Sequence, residues 1–98
     1  MQIKVRVPTQ LRGLADGEAV VTVDANDGAA GGVTVRSVLD ALARAHPALE
    51  RRVRDELGAV RVHVNLFVGV DNVRDLDGLD SPVPPGAEVS IIPAVSGG

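Results

Sequence analysis

Ile3, Val5 and Val7 alternate with Gln2, Lys4 and Arg6. This period of two marks a half-buried strand over residues 2–7, and Pro8 closes it. Residues 11–17, with Gly13 and Gly17, read as a turn. Alternation resumes over 18–24, with Ala19, Val21 and Val23 on one face, and an antiparallel hairpin with the first strand is the economical pairing. Residues 24–32, rich in Gly and Ala, read as a flexible loop. The period then changes. After Thr34, a residue suited to an N-cap, Val35, Val38, Leu39 and Leu42 keep helical spacing to about Ala45, with Arg36, Asp40 and Arg44 on the other faces. His46-Pro47 interrupts the helix, because a residue before proline disfavours the helical region. A second helix is predicted over 47–57 from Leu49, Val53 and Leu57, with Pro47 in its first turn and Gly58 as its stop. A third strand is predicted over 62–68, with Val62, Val64, Leu66 and Val68 on one side and His63, Asn65 and Phe67 on the other. Residues 69–72 read as a turn, Val73-Arg74 as a short strand and 75–86 as irregular. The last strand, 87–93, sends Val89 and Ile91 inward and Glu88, Ser90 and Ile92 outward.

The order strand, strand, helix, strand, short strand, strand predicts an α+β chain with the β-grasp plan: a mixed four- to five-stranded sheet and a helix packed across one face. The first and last strands pair in parallel at the centre of this plan. Ile3, Val5, Val21, Val38, Leu39, Leu42, Val64, Leu66, Val89 and Ile91 are the expected core. The expected division is one domain over 1–93 and a flexible tail over 94–98.

Composition narrows the chemistry. Ninety-eight residues suit one domain. The chain has no cysteine, which excludes disulfides, thiolate metal sites and a cysteine nucleophile. A net charge of −3 argues against a nucleic-acid footprint. No run approaches the roughly 20 apolar residues of a membrane span, and the alternating start lacks a signal-peptide core. The expected location is the cytoplasm.

Most candidate sites dissolve on inspection. The Gly-Ala-Ala-Gly-Gly run lacks the Gly-Lys-Ser/Thr of a phosphate loop. His46 and His63 have no Ser, Cys or second His at motif spacing. Asp75, Asp77 and Asp80 miss the glycine and terminal carboxylate of a calcium loop. No metal site is expected. Arg51, Arg52 and Arg54, near Asp55 and Glu56, read as helix surface with a contribution to docking left open. Phe67, the single aromatic residue, falls with Ile92 on the face opposite the core. Scattered exposed apolar residues are ordinary, but a joined pair leading towards the chain end is expected to dock a partner. Beyond Pro93 lie Ala94, Val95, Ser96, Gly97 and Gly98. Five extended residues reach at most roughly 17 Å, and two residues without a Cβ pass a narrow channel. Val95, Ser96 and Gly97 are the expected access segment, and the Gly98 carboxylate is the group delivered. Nothing in the sequence resembles a self-sufficient active site.

The ending from Pro85 through Gly86-Ala87-Glu88 and the last strand to Gly97-Gly98, together with Val64-Asn65-Leu66-Phe67-Val68 and Asp71-Asn72-Val73-Arg74, resembles the ThiS/MoaD family of ubiquitin-like sulfur carriers. Its actinobacterial CysO-like branch is the most similar. The resemblance implies a carrier, not an enzyme, and no bound cofactor. A ubiquitin-activating-type adenylating enzyme uses ATP to activate the carboxylate that corresponds to Gly98. Sulfur then displaces AMP, and the resulting transient thiocarboxylate supplies a sulfur-accepting synthase. Cysteine, molybdopterin, thiamin and thiosugar biosynthesis all stay open as destinations. The free carrier is expected to be a monomer without nucleic-acid or membrane partners. The rivals are a ubiquitin-like modifier conjugated through Gly98 and a β-grasp interaction module with an inert tail. Gly86-Ala87-Glu88 replaces the acidic Gly-Asp-Glu common in the family, and the loop at 24–32 is long.

Overall fold

The computed structural model describes residues 1–25 and 32–93. Five strands form one sheet in the order β2-β1-β5-β3-β4: β1 (Gln2–Arg6), β2 (Val20–Asp24), β3 (Val64–Val68), β4 (Asp71–Asn72) and β5 (Glu88–Pro93). β1 pairs antiparallel with β2, placing Val5 opposite Val21. It pairs in parallel with β5, placing Val5 beside Val89. β5 is therefore central, and its other edge meets β3 antiparallel, with Leu66 opposite Ile91. This is the expected β-grasp plan. The hydrophobic period of two explains the layering: the inward residues Ile3, Val5, Val21, Val23, Val64, Leu66, Val89 and Ile91 are all buried.

Helix α1 (Val35–Ala45) covers that face with Val35, Val38, Leu39, Ala41 and Leu42. All ten expected core residues are buried. The Thr34 hydroxyl accepts from the Ser37 backbone N–H at 3.3 Å, and the Ser37 hydroxyl accepts from the Thr34 N–H at 2.9 Å. This reciprocal pair satisfies two amides that a helix start leaves without partners. A third finds an acceptor in the distant Ser81 carbonyl, 3.0 Å from the Val35 nitrogen. The stretch after β4 is thereby tied to the helix rather than loose. Val83 N–H donates to the Val33 carbonyl at 2.9 Å, and Ser81, fully buried, accepts from the Asp77 N–H through its hydroxyl at 3.0 Å.

Several boundaries differ from the sequence expectation. The second helix, α2 (Pro47–Val53), ends before Leu57, which is 88% exposed and outside the core. Asp55 supplies the reason. Its carboxylate accepts from the Leu57 and Ala59 backbone N–H groups at 2.9 and 3.0 Å, a local alternative to helical bonding. Gly58, at φ +84°, serves this turn and not a helix end. Val62 is also 88% exposed. β3 starts at Val64 because residues 61–63 turn, the Val64 N–H donating to the Arg61 carbonyl at 3.0 Å. The segment over 9–15 is a 3-10 helix (Thr9–Ala15) that buries Ala15. The short strand is Asp71–Asn72, and Val73–Asp75 is a 3-10 turn. β2 begins at Val20, leaving Ala19 exposed. Residues 94–98, and with them the expected flexible tail, lie outside the described residues, as does most of the loop at 24–32.

Candidate functional site

The outer sheet face follows from the same alternation. Strand register lines up Val20, Arg6, Ser90, Phe67 and Asn72 across all five strands. One step along β5, Ile92 faces outward opposite Asn65. Phe67 and Ile92 are thus diagonal neighbours on one face, a separation that an aromatic side chain can span. Ile92 is 44% exposed, and Phe67 is half-buried. Leu57, Val62 and Val70 are more exposed than either, but each stands in a turn outside the sheet.

Charged side chains frame this face. The Arg6 Nε stands 2.7 Å from the Glu88 carboxylate across the parallel pairing. Beside Ile92 and Pro93, at the end of β5 next to β1, lies an open, mostly apolar groove of about 260 Å³ whose walls include Pro8, Arg6 and Arg12. Arg12 Nε donates to the Val7 carbonyl at 3.1 Å, which fixes its side chain along the groove. On the β3 side, Arg74 braces the strand. Its Nη1 donates to the Asn65 side-chain oxygen at 2.6 Å, and its Nη2 to the Val64 carbonyl at 3.0 Å. Longer contacts of 3.4 and 3.5 Å reach the Arg61 and Val62 carbonyls.

The sequence assigns no role to Arg12, and Arg74 enters it only within the stretch Asp71-Asn72-Val73-Arg74, with no bracing role. The carbonyls that Arg74 holds, those of Arg61, Val62 and Val64, come together only in the fold. Arg54 departs from the surface reading. Its side chain is only 10% exposed and pairs with Asp40 at 2.9 Å and with Glu50. Asp80, one of the three aspartates considered for calcium, instead meets Arg36 at 3.1 Å. Among the described residues, no group of three His, Asp or Glu side chains stands close enough to hold a metal ion. No helix there is long and apolar enough to cross a membrane. Val95, Ser96, Gly97 and Gly98 lie outside the described residues.

The described surface thus offers a face and the end of a central strand, and its few hollows are open and shallow. Comparison with known proteins decides the family. The sequence model of the ThiS family matches residues 5–98, through the final two glycines. The chain belongs to the ThiS family. It is 31% identical to the sulfur carrier protein CysO of Mycobacterium tuberculosis across the whole of both chains. It is 37% identical to small archaeal modifier protein 1 of Haloferax volcanii over 82 residues, 84% of this chain and 85% of that one. Among solved structures, the ThiS-family fold described here superposes on a chain in the crystal structure of the Amycolatopsis orientalis BexX/CysO complex. The TM-score is 0.81 at 31% identity, with 98% of this chain and 99% of that chain covered. The ubiquitin-like β-grasp fold and the CysO-like character expected from the sequence both hold, and the chain is a member of a family of sulfur carriers and ubiquitin-like modifiers.

Proposed function

We propose that this ThiS-family protein is a sulfur carrier that works through the carboxylate of Gly98. The observation that carries the proposal is the family match running through Gly97 and Gly98, on a chain whose central strand β5 leads directly to that segment. A carboxylate is a poor electrophile. A partner of the ubiquitin-activating type joins it to AMP from ATP, releasing pyrophosphate. A sulfide equivalent then attacks the acyl carbon, the C–O bond to AMP breaks, and a thiocarboxylate remains for a sulfur-accepting synthase. The chain's own part is to present the carboxylate at reach and to dock. Reaction of the terminal carboxylate needs no cysteine, in keeping with a cysteine-free sequence. Conjugation of Gly98 to lysines is the second reading, favoured by the likeness to small archaeal modifier protein 1.

The test uses wild type, a Gly98 deletion and Gly97→Val, each incubated with the adenylating enzyme, ATP and sulfide and then weighed intact. Wild type is expected to gain AMP and then to exchange one oxygen for sulfur. The deletion shortens the reach by about 3.3–3.6 Å, where a misplacement of about 1 Å can already cost on the order of a hundredfold, and should abolish both products. Gly97→Val keeps the length but adds a branched side chain in the channel, and should slow activation while sparing the fold. Equal modification of the deletion variant would falsify the mechanism. An isopeptide adduct on other proteins, without sulfur gain, would favour the modifier reading.

A further inference from the structure

Arg51 and Arg61 line two open hollows of different character. The larger, about 640 Å³, has balanced walls: Glu50, Asp55 and Glu56 stand there with Arg51, Arg54 and Arg61. The smaller, about 330 Å³, is lined by Arg51, Arg52, Arg61 and His63 and by no carboxylate. Among the described residues, no carboxylate lies within 4 Å of the Arg51, Arg52 or Arg61 side-chain nitrogens, whereas Arg54, on the same helix end, is taken by Asp40 and Glu50. Arg61 Nε donates to the Arg51 carbonyl at 2.9 Å, so the turn before β3 and the end of α2 are held together and the cations share one concavity. Val62, 88% exposed, stands in the same turn, between Arg61 and His63.

The location gives the concavity its meaning. Val64 pairs with Pro93, so residues 61–63 stand beside the end of β5. This patch concentrates positive charge on a chain whose net charge is −3. Three guanidiniums, one imidazole and one projecting valine in a single small hollow form neither the long basic stripe nor the succession of stacking platforms that nucleic acid calls for. They suit carboxylates on a protein, with the valine as an apolar contact at the rim.

We propose that Arg51, Arg52, Arg61 and His63, with Val62, dock an acidic surface of the enzyme that receives the Gly98 carboxylate, at the rim of its entrance. The inference rests on the carrier reading. Charges so placed steer encounter and fix orientation, and their influence is felt in association rather than in chemistry.

Two measurements test it. The first is an NMR titration of the ¹⁵N-labelled protein with a decaglutamate peptide, with inorganic phosphate and a single-stranded oligonucleotide as parallel arms. Amide shifts concentrated at residues 51, 52 and 61–63 with the peptide alone are expected. Equal shifts with phosphate would make the hollow a small-anion site, equal shifts with the oligonucleotide would make it a nucleic-acid surface, and peptide shifts elsewhere or absent would leave no acidic docking site. Each of these outcomes overturns the proposal. The second measurement compares Arg52→Glu with Arg44→Glu, the same charge change at an exposed position on α1 outside the hollow. Arg52→Glu should raise KM for the carrier on the order of tenfold at low salt, with kcat unchanged and the difference shrinking as salt rises. Arg51→Glu/Arg52→Glu should exceed it, with thermal unfolding unchanged. Equal KM values for Arg44→Glu and Arg52→Glu would overturn docking. If wild type gains no AMP at all, the carrier reading fails by itself, and the peptide titration still decides whether the patch prefers carboxylates.

Discussion

Arg74 does with one guanidinium what a sheet edge does with a neighbouring strand. Its firm bonds to Val64 and Asn65 and its longer contacts to Arg61 and Val62 hold the turn that precedes β3. Its own backbone N–H is held by the Asn72 side chain at 3.0 Å. Arg74 is exposed, so the contribution to stability is modest, about 0.5–1.5 kcal/mol. Its contribution to local order is larger. Arg74→Ala is expected to speed amide hydrogen exchange at residues 61–64 while leaving α1 protected. Unchanged exchange at those amides would show that the turn holds itself. Such a residue is hidden in a sequence, because all but one of its guanidinium's partners are backbone carbonyls, which carry no side-chain identity. Phe67 and Ile92 are the opposite case. Period-two alternation placed them on the outer face, and the register sets them diagonally across β3 and β5.

At the scale of elements, α1 was fully legible because three independent signals agree: a capping residue, apolar spacing of 3.6, and a proline after its end. α2 was legible at its start and misread at its end. Leu57 continues the apolar spacing of Leu49 and Val53, but Asp55 offers the backbone a competing acceptor, and periodicity cannot weigh that competition. Val62 misled in the same way, since alternation carries no information about a turn stabilised from Arg74. The boundary errors leave the packing expectation intact. Leu42, fully buried between α1 and the sheet, is the sharpest test of it. Leu42→Ala should cost about 2–5 kcal/mol, read as a lower midpoint in urea with an unchanged slope. A loss below about 1 kcal/mol would show that the site collapses around the missing atoms or is not a true core position.

On the whole molecule, the two sheet faces differ among the described residues: one is closed by helices, and the other carries Phe67, Ile92, Ser90 and Arg6. Phe67→Asp is expected to weaken binding to the adenylating enzyme, measured by calorimetry, while thermal stability changes little. Unchanged affinity with unchanged stability would return Phe67 to ordinary surface. The plan itself was readable in the sequence from element order, because a hairpin followed by a helix and a returning strand has few right-handed closures. The basic hollow was not, since Arg51, Arg52, Arg61 and His63 are brought together by two turns that the pattern does not show. The parallel pairing of β1 with β5 has one more consequence, for synthesis. It joins residues such as Arg6 and Glu88, 82 positions apart, and a strand laid down last fills the middle of the sheet. Until Glu88–Pro93 clears the ribosome, β1 and β3 lack the strand that both pair with, their backbone N–H and C=O groups on that side have no ladder partner, and long-range pairing of this kind is slow. A chain broken off before that point leaves a sheet that cannot close.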